Sequence, residues 1–126
     1  MEFRRERPGA GPVITGFSGT GFRLNDAVFP RGVLIDPQDA TEWLAPPTVD
    51  AITPDMLDAL LALDPLPEFL LLGTGPSLVQ PPRALVATIE ARGVGVEAMD
   101  SRAAARAWGV LRLEERWIVA ALMPLG

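Results

Sequence analysis

The sequence has 126 residues and a formal net charge of −5, it contains neither His nor Cys, and Arg occupies all 11 of its cationic positions. This length supports one domain, and the composition excludes thiol nucleophiles, Ser-His-Asp triads, Lys Schiff bases and zinc sites built on imidazole or thiolate. Because the arginines are scattered and are outnumbered by 16 acidic residues, we expect no nucleic-acid partner.

The apolar runs are too short for a membrane span. The longest ones, residues 69–72 and 117–123, fall far below the roughly 20 residues that cross a bilayer. The charged first residues also lack the apolar core of a secretory signal. We therefore expect a cytoplasmic protein that does not insert directly into a membrane.

The N-terminal half is predicted to be rich in strands. Residues 1–12 are polar and end in Gly and Pro, which predicts a flexible arm before a single domain over 13–124. Residues 13–36 alternate short β-branched or aromatic runs with Gly, Asn and Asp, which is typical of two or three antiparallel strands. Residues 41–44 predict an edge strand or an extended connection. An exposed Trp43 beside Leu44 would form a protein-contact site.

The C-terminal half alternates helices and strands. A helix of about ten residues is predicted from Pro54, capped by Thr53, with an apolar stripe of Met56, Leu57, Leu60 and Leu61. Residues 68–73 predict a strand covered on both faces. There follow a helix from 82 to 92, a strand over 94–99, a helix capped by Ser101 with Trp108 in the core, and a strand over 117–122.

This order of elements indicates an α/β fold. Right-handed crossovers make strands 68–73 and 94–99 parallel. We predict a single three-layer domain with a mixed central β-sheet, helices that cover it, and a small antiparallel β-layer from the N-terminal half.

The best candidate site follows the first parallel strand and contains Gly73, Thr74, Gly75 and Ser77. Ligands of open α/β sheets bind beyond the carboxyl ends of strands, where glycines let backbone amides approach an anion. Leu78 stands where a dinucleotide fingerprint needs its third glycine, so we expect no nicotinamide or flavin and no other cofactor. Two interpretations stay open: the glycines only shape a turn, or they form a pocket or partner surface.

Asp100 and Ser101 follow the second parallel strand and are expected at the same sheet edge. We interpret Ser101 as a helix cap, because no His or Lys is present to activate it as a nucleophile. Asp100 either binds a ligand hydroxyl or caps a turn. Arg83 places a cation at the start of a helix, which indicates an anion or carboxylate partner. No catalytic residue and no metal site is predicted, although Asp36 with Asp39 is a weak divalent-metal candidate.

Three segments together resemble the Mth938-like family: residues 68–75 (EFLLLGTG), 93–100 (GVGVEAMD) and 119–124 (VAALMP). This family of small, largely uncharacterised bacterial and archaeal proteins also includes a mitochondrial respiratory complex I assembly factor and an adipogenesis-associated protein. The resemblance covers about residues 13–124. It implies the same three-layer fold, no established activity or cofactor, and a binding or assembly role. Residues 107–110 (AWGV) depart from the family's Tyr-Asn pair.

The sequence is therefore consistent with two functions. The first is a non-enzymatic binding or assembly module with a protein partner, for which a respiratory membrane complex is the candidate; a homo-oligomer is also open. The alternative is a small-molecule or anion-binding protein, or a cryptic enzyme, that uses the turn of Gly73, Thr74 and Gly75 together with Asp100.

Overall fold

The computed structural model describes residues 11–126, which contain eight strands and three α-helices. The strands are β1 (Ile14–Ser18), β2 (Gly21–Leu24), β3 (Ala27–Phe29), β4 (Val33–Ile35), β5 (Ala40–Glu42), β6 (Phe69–Gly73), β7 (Gly95–Met99) and β8 (Val119–Leu122). The helices are α1 (Asp58–Leu61), α2 (Arg83–Ala91) and α3 (Ser101–Leu113), and 3-10 turns occupy Val49–Ala51 and Pro54–Leu57.

The large sheet is mixed, as predicted. Its five strands lie in the order β5-β4-β8-β6-β7, and β6 runs parallel to both β7 and β8. The antiparallel pairs are β4 with β5 and β4 with β8. The carboxyl ends of β6, β7 and β8 therefore emerge at one edge of the sheet, which is the edge where ligands of such sheets bind.

Two cores lie on opposite faces of this sheet. Leu70 and Leu72 of β6 pack in the core covered by α1 and α2, whereas Leu71 between them packs in the core covered by α3 and by Phe22 of the small sheet. All three leucines are at most 1% exposed, because successive side chains of a strand point to opposite faces. The prediction of a three-layer domain with a strand covered on both faces is confirmed.

The N-terminal half contributes one more strand than expected. The strands β1, β2 and β3 form a separate antiparallel sheet, as predicted, but β4 leaves it and joins the large sheet beside β8. Gly32 stands directly before β4 with a φ of +127°, a conformation that a residue with a side chain rarely adopts. The chain thus changes sheets at a glycine.

The helix predicted from Pro54 is shorter and less regular than expected. Pro54–Leu57 is a 3-10 turn, only Asp58–Leu61 is α-helical, and Thr53 makes no side-chain cap bond. Because a 3-10 segment has three residues per turn, Met56 rotates away from the apolar stripe and is 38% exposed. The other members of the stripe, Leu57, Leu60 and Leu61, are buried.

Trp43 is buried, which corrects the idea of a surface contact there. Its amide donates to the Gly32 carbonyl at 3.0 Å, and its side chain packs in a core with Val49 and Ile52. The neighbouring Leu44 is the exposed residue. The predicted segment 41–44 overlaps the edge strand β5, which begins one residue earlier and ends at Glu42.

Trp108 lies in the core, as predicted, and also holds the start of the described chain. Its indole Nε1 donates to the Pro12 carbonyl at 3.0 Å, and Pro12 is buried. Residues 1–10 of the predicted arm lie outside the described residues. Within residues 11–126, no helix is long and apolar enough to cross a membrane.

Candidate functional site

Three chain segments meet at the carboxyl edge of the large sheet. Gly73 ends β6 and leads into Thr74 and Gly75, Asp100 and Ser101 follow β7, and Met123 follows β8. Hydrogen bonds join the segments directly: the Thr74 amide donates to the Met99 carbonyl at 2.9 Å, and the Met123 amide donates to the Gly73 carbonyl at 3.0 Å. The predicted juxtaposition of the glycine turn with Asp100 and Ser101 is present.

The structure explains why glycine occupies both positions, 73 and 75, of the turn. A Cβ atom on Gly73 would lie 2.7 Å from the Ser101 hydroxyl oxygen and 2.9 Å from Cδ2 of Leu122, so no side chain fits there. Gly75 has a φ of +104°, in the region that favours glycine. Close packing at Gly73 and backbone conformation at Gly75 are therefore each a structural reason for glycine.

Ser101 connects all three segments through a fully buried hydroxyl. This hydroxyl accepts a hydrogen bond from the Gly75 amide at 2.8 Å and donates one to the Met123 carbonyl at 2.7 Å. The Ser101 amide donates to the Gly75 carbonyl, also at 2.8 Å. The side chain thus satisfies two backbone groups at the sheet edge and has no exposed face for chemistry.

The helix cap is Asp100, not Ser101 as predicted. Asp100 stands before α3 with extended backbone angles, and its Oδ1 accepts a hydrogen bond from the Ala103 amide at 2.9 Å. Ser101 is the first helical residue. Both residue types are good N-caps, and the buried partners of the Ser101 hydroxyl leave the capping role to Asp100. Of the two roles considered for Asp100, the structure shows the cap.

Thr74 folds the loop after β6 back onto the sheet edge. Its side chain is almost completely buried, and its hydroxyl donates to the Ser77 carbonyl at 2.7 Å and accepts from the Val79 amide at 3.0 Å. The side chains of Ser77, Leu78 and Val79 remain exposed. The loop is therefore fixed by one threonine while it presents two apolar side chains outwards.

Four backbone donors at this edge are engaged within the protein. The amides of Thr74, Gly75, Ser101 and Ala103 all donate to carbonyl, hydroxyl or carboxylate oxygens of the chain itself. Arg83 is the exposed first residue of α2, and no hydrogen bond or ion pair connects its side chain to the rest of residues 11–126. This arrangement favours a turn-forming role for the glycines over an anion cradle.

A groove lies beside the turn, and we call it the carboxyl-end groove. It consists of two cavities of about 350 and 290 Å³ that share Pro47, Thr74 and Met123 as lining residues. Asp50 and Val79 line the first cavity, and both residues are exposed to solvent. Sequence reasoning missed Met123, although the parallel course of β8 already places the residue after it at this edge.

The Asp36 carboxylate closes a turn of the backbone. Its Oδ1 accepts hydrogen bonds from the amides of Gln38 and Asp39, both at 2.7 Å, and so closes the turn before β5. No cluster of three acidic residues with metal-binding geometry occurs between residues 11 and 126. The carboxylate satisfies the turn backbone, which is a common use of Asp in loops.

The shortest ion pair among residues 11–126 lies at the opposite edge of the sheet. Arg116 donates to Glu68 through Nη2 at 2.7 Å and through Nε at 3.2 Å, and it lies over the Phe69 ring. The hydrogen bond from Arg116 lowers the pKa of Glu68 below its ordinary value, with a further contribution from the Trp117 amide. This pair joins the starts of β6 and β8 and takes no part in the carboxyl-end groove.

Comparisons with known proteins agree with this architecture. The model of a family described as a protein of unknown function (DUF498/DUF598) matches residues 14–123. An uncharacterised protein of Rhodobacter capsulatus is 37% identical over 112 residues, which cover 89% of this chain and 84% of that protein.

Two further relatives connect the chain to an assembly factor and to a solved fold. The NADH dehydrogenase [ubiquinone] 1 alpha subcomplex assembly factor 3 of Danio rerio is 32% identical, over 98% of this chain and 71% of that protein. A Mth938-like domain of Bordetella pertussis superimposes with a TM-score of 0.80 at 27% identity, over 100% of this chain and 94% of the other. The chain therefore belongs to the DUF498/DUF598 family and has the Mth938-like fold.

Proposed function

We propose that this protein is a binding module that assists the assembly of a respiratory membrane complex. The observation that carries the proposal is the relationship to the Danio rerio protein, which is named as an assembly factor and is aligned with nearly the whole of this chain. The composition is consistent with binding rather than catalysis, because it offers no His, Cys, Lys or Tyr for acid–base or nucleophilic chemistry.

The carboxyl-end groove is the proposed partner site. Its apolar walls come from two loops that are fixed differently: Pro46 and Pro47 stiffen one by their ring constraint, and Thr74 holds the other by hydrogen bonds. Leu78 and Val79 on the second loop are 52% and 44% exposed. A loop whose backbone is already fixed binds a partner with less loss of conformational entropy than a free loop.

The charge of the groove indicates the chemistry of the partner. Asp50 is the charged residue among the described residues that line the two cavities. An apolar partner segment that carries a Lys or Arg side chain next to Asp50 would complement this surface in both hydrophobicity and charge. Asp50→Arg is therefore expected to weaken partner binding without affecting the fold, because Asp50 is exposed.

A neutral small molecule is the second candidate ligand. One cavity, of about 350 Å³, is at the lower end of the range of about 300–1,000 Å³ that is typical of ligand pockets, and the other, of about 290 Å³, is just below it. Because the nearby amides are already engaged, such a ligand would be held by apolar contact rather than by an anionic group. Amide chemical shifts would distinguish the classes: phosphate, sulfate or carboxylates should leave residues 73–77 and 100–102 unmoved.

Genetic complementation tests the proposed function. In cells of the source organism that lack the protein, we expect the amount of assembled NADH dehydrogenase complex on native gels to fall, and wild-type protein to restore it. A Leu78→Ser, Val79→Ser double variant should fail to restore it at unchanged melting temperature. The matched control is Leu66→Ser, an exposed apolar residue in the loop before β6, which should restore assembly. Normal assembly without the protein would contradict the proposal.

A further inference from the structure

A second apolar surface lies on the outside of α3. None of its lining residues lines the carboxyl-end groove. Arg106, Gly109, Val110 and Leu113 recur at the spacing that places residues on one side of a helix, and with Val13 they line a concavity of about 440 Å³. We call these four helical residues the α3 outer face. Val110 and Leu113 are 57% and 61% exposed, among the highest values for large apolar residues between positions 11 and 126.

Gly109 lies within the α3 outer face and has no role in the packing of its own chain. A Cβ atom there would meet no other atom within 4 Å, and the residue does not have a positive φ. A glycine inside a helix is destabilising by roughly 0.5–1 kcal/mol relative to alanine, so the fold alone gives no reason for it. Its missing side chain lets the backbone of a second helix approach closely.

The charges at the two ends of the face are complementary to each other. Arg106 lies four residues before Val110 and Glu114 four residues after it, which is about 6 Å along the helix in either direction. Both side chains are exposed, and neither forms an ion pair within the described part of the chain. Glu114 lies next to Leu113, just beyond the α3 outer face. The hydrogen bond with Glu68 raises the pKa of Arg116, and the charge of Glu114 also raises it. A surface with a cation at one end and an anion at the other fits a second copy of itself turned end to end.

We infer that the protein forms a two-fold symmetric dimer in which α3 of one copy packs antiparallel against α3 of the other. The axis passes near Val110, so Arg106 of each copy lies beside Glu114 of its partner, and this pair occurs twice. The antiparallel helix dipoles also attract each other. One short helix pair is small compared with stable interfaces, which predicts a reversible equilibrium that depends on protein concentration.

Sedimentation velocity over a range of concentrations tests the dimer. We expect the wild-type sedimentation coefficient to rise from the monomer value towards the dimer value. Val110→Asp should weaken the dimer by about thirtyfold or more, as truncation of a central anchor does. The control is Leu44→Asp, which introduces the same charge at an equally exposed apolar site elsewhere and should leave the equilibrium unchanged. A wild-type protein that stays monomeric at the highest soluble concentration overturns the inference.

Charge reversal tests the antiparallel arrangement in particular. Arg106→Glu and Glu114→Arg should each weaken the dimer by about tenfold, because each juxtaposes like charges twice. The double variant should restore the wild-type equilibrium to within about twofold. If the effects of the two single changes add in the double variant, the helices do not pair in this way.

The absence of cysteine in this chain permits an independent test. Val110→Cys introduces a single thiol, which near a two-fold axis lies opposite its own copy. Under mild oxidation we expect this variant to become a covalent dimer much faster than Leu44→Cys at the same concentration. Equal rates for the two variants would show that α3 does not meet its copy at Val110.

Discussion

Ser101 and Gly75 are hydrogen-bonded to each other in both directions. The Ser101 amide donates to the Gly75 carbonyl and the Gly75 amide donates to the Ser101 hydroxyl, each at 2.8 Å. The same hydroxyl donates a hydrogen bond to the Met123 carbonyl. This arrangement fastens the ends of three parallel strands together and positions the loop that forms one wall of the carboxyl-end groove.

Removal of the Ser101 hydroxyl should therefore be costly. Ser101→Ala leaves the Gly75 amide and the Met123 carbonyl without a buried partner, and each such loss costs about 1–3 kcal/mol. We expect urea denaturation to show a decrease of at least about 2 kcal/mol in the free energy of unfolding. Ser77→Ala, at an exposed position in the same loop, is the control and should change it by less than about 0.5 kcal/mol. Equal effects would refute the role given to Ser101.

Substitution of Gly75 is expected to lower the stability of the fold more than it affects binding. Its φ of +104° makes any side chain strained, so Gly75→Val should cost about 1–3 kcal/mol from the backbone alone. Gly16→Ala provides a comparison, because Gly16 lacks a positive φ and a Cβ atom there meets nothing within 4 Å. Thermal unfolding should show a clear loss for the first variant and little change for the second. A fully stable Gly75→Val protein would contradict the assigned conformation.

Leu71 tests the two-sided burial of the central strand. Leu71→Asp places a carboxylate in a core where nothing compensates its charge, so we expect no folded protein in the soluble fraction. Leu44→Asp, at a residue that is 64% exposed, should express normally. Normal solubility and melting temperature for the Leu71 variant would exclude the three-layer arrangement.

The Glu68–Arg116 pair predicts a dependence of stability on pH. Because the folded state lowers the pKa of Glu68, the pair contributes fully above the ordinary value of about 4.5 and loses its contribution as the pH falls through the lowered pKa. Glu68→Gln should therefore be less stable than wild type at pH 7. The difference should shrink on acidification below about pH 4.5. If the stability difference between wild type and Glu68→Gln stays constant as the pH is lowered, the charge of the Glu68 carboxylate does not contribute to stability.

The sequence allowed the layers of the fold to be predicted, because its signals were local. The apolar run at 69–72 and the helix after Pro82 follow from hydrophobic period and cap residues alone. The role of Ser101 could not be predicted, because its partners are 22 and 26 residues away in the chain. For the same reason Trp43 looked like an edge-strand residue, whereas Val49 and Ile52 cover it after the chain turns back.

The meeting of the candidate site residues at one edge of the sheet could be predicted, but their hydrogen-bond partners could not. Parallel strands bring their carboxyl ends together, so the meeting of Gly73 with Asp100 followed from topology. Whether an amide is free for a ligand depends on every neighbouring acceptor, which a single sequence does not reveal. The structure shows those amides occupied, and it adds an apolar groove lined by Met123 and Pro47.

Photocrosslinking from the groove tests the central claim most directly. A photoreactive residue at position 79, which lines the groove and is exposed, should crosslink in living cells to a subunit of a respiratory membrane complex, identified by mass spectrometry. The same residue at position 66, equally apolar and exposed but in the loop before β6, should not. Crosslinks to such a subunit from position 79 alone are the predicted result. Crosslinks from both positions, or from neither, would contradict the carboxyl-end groove as the site of an assembly partner.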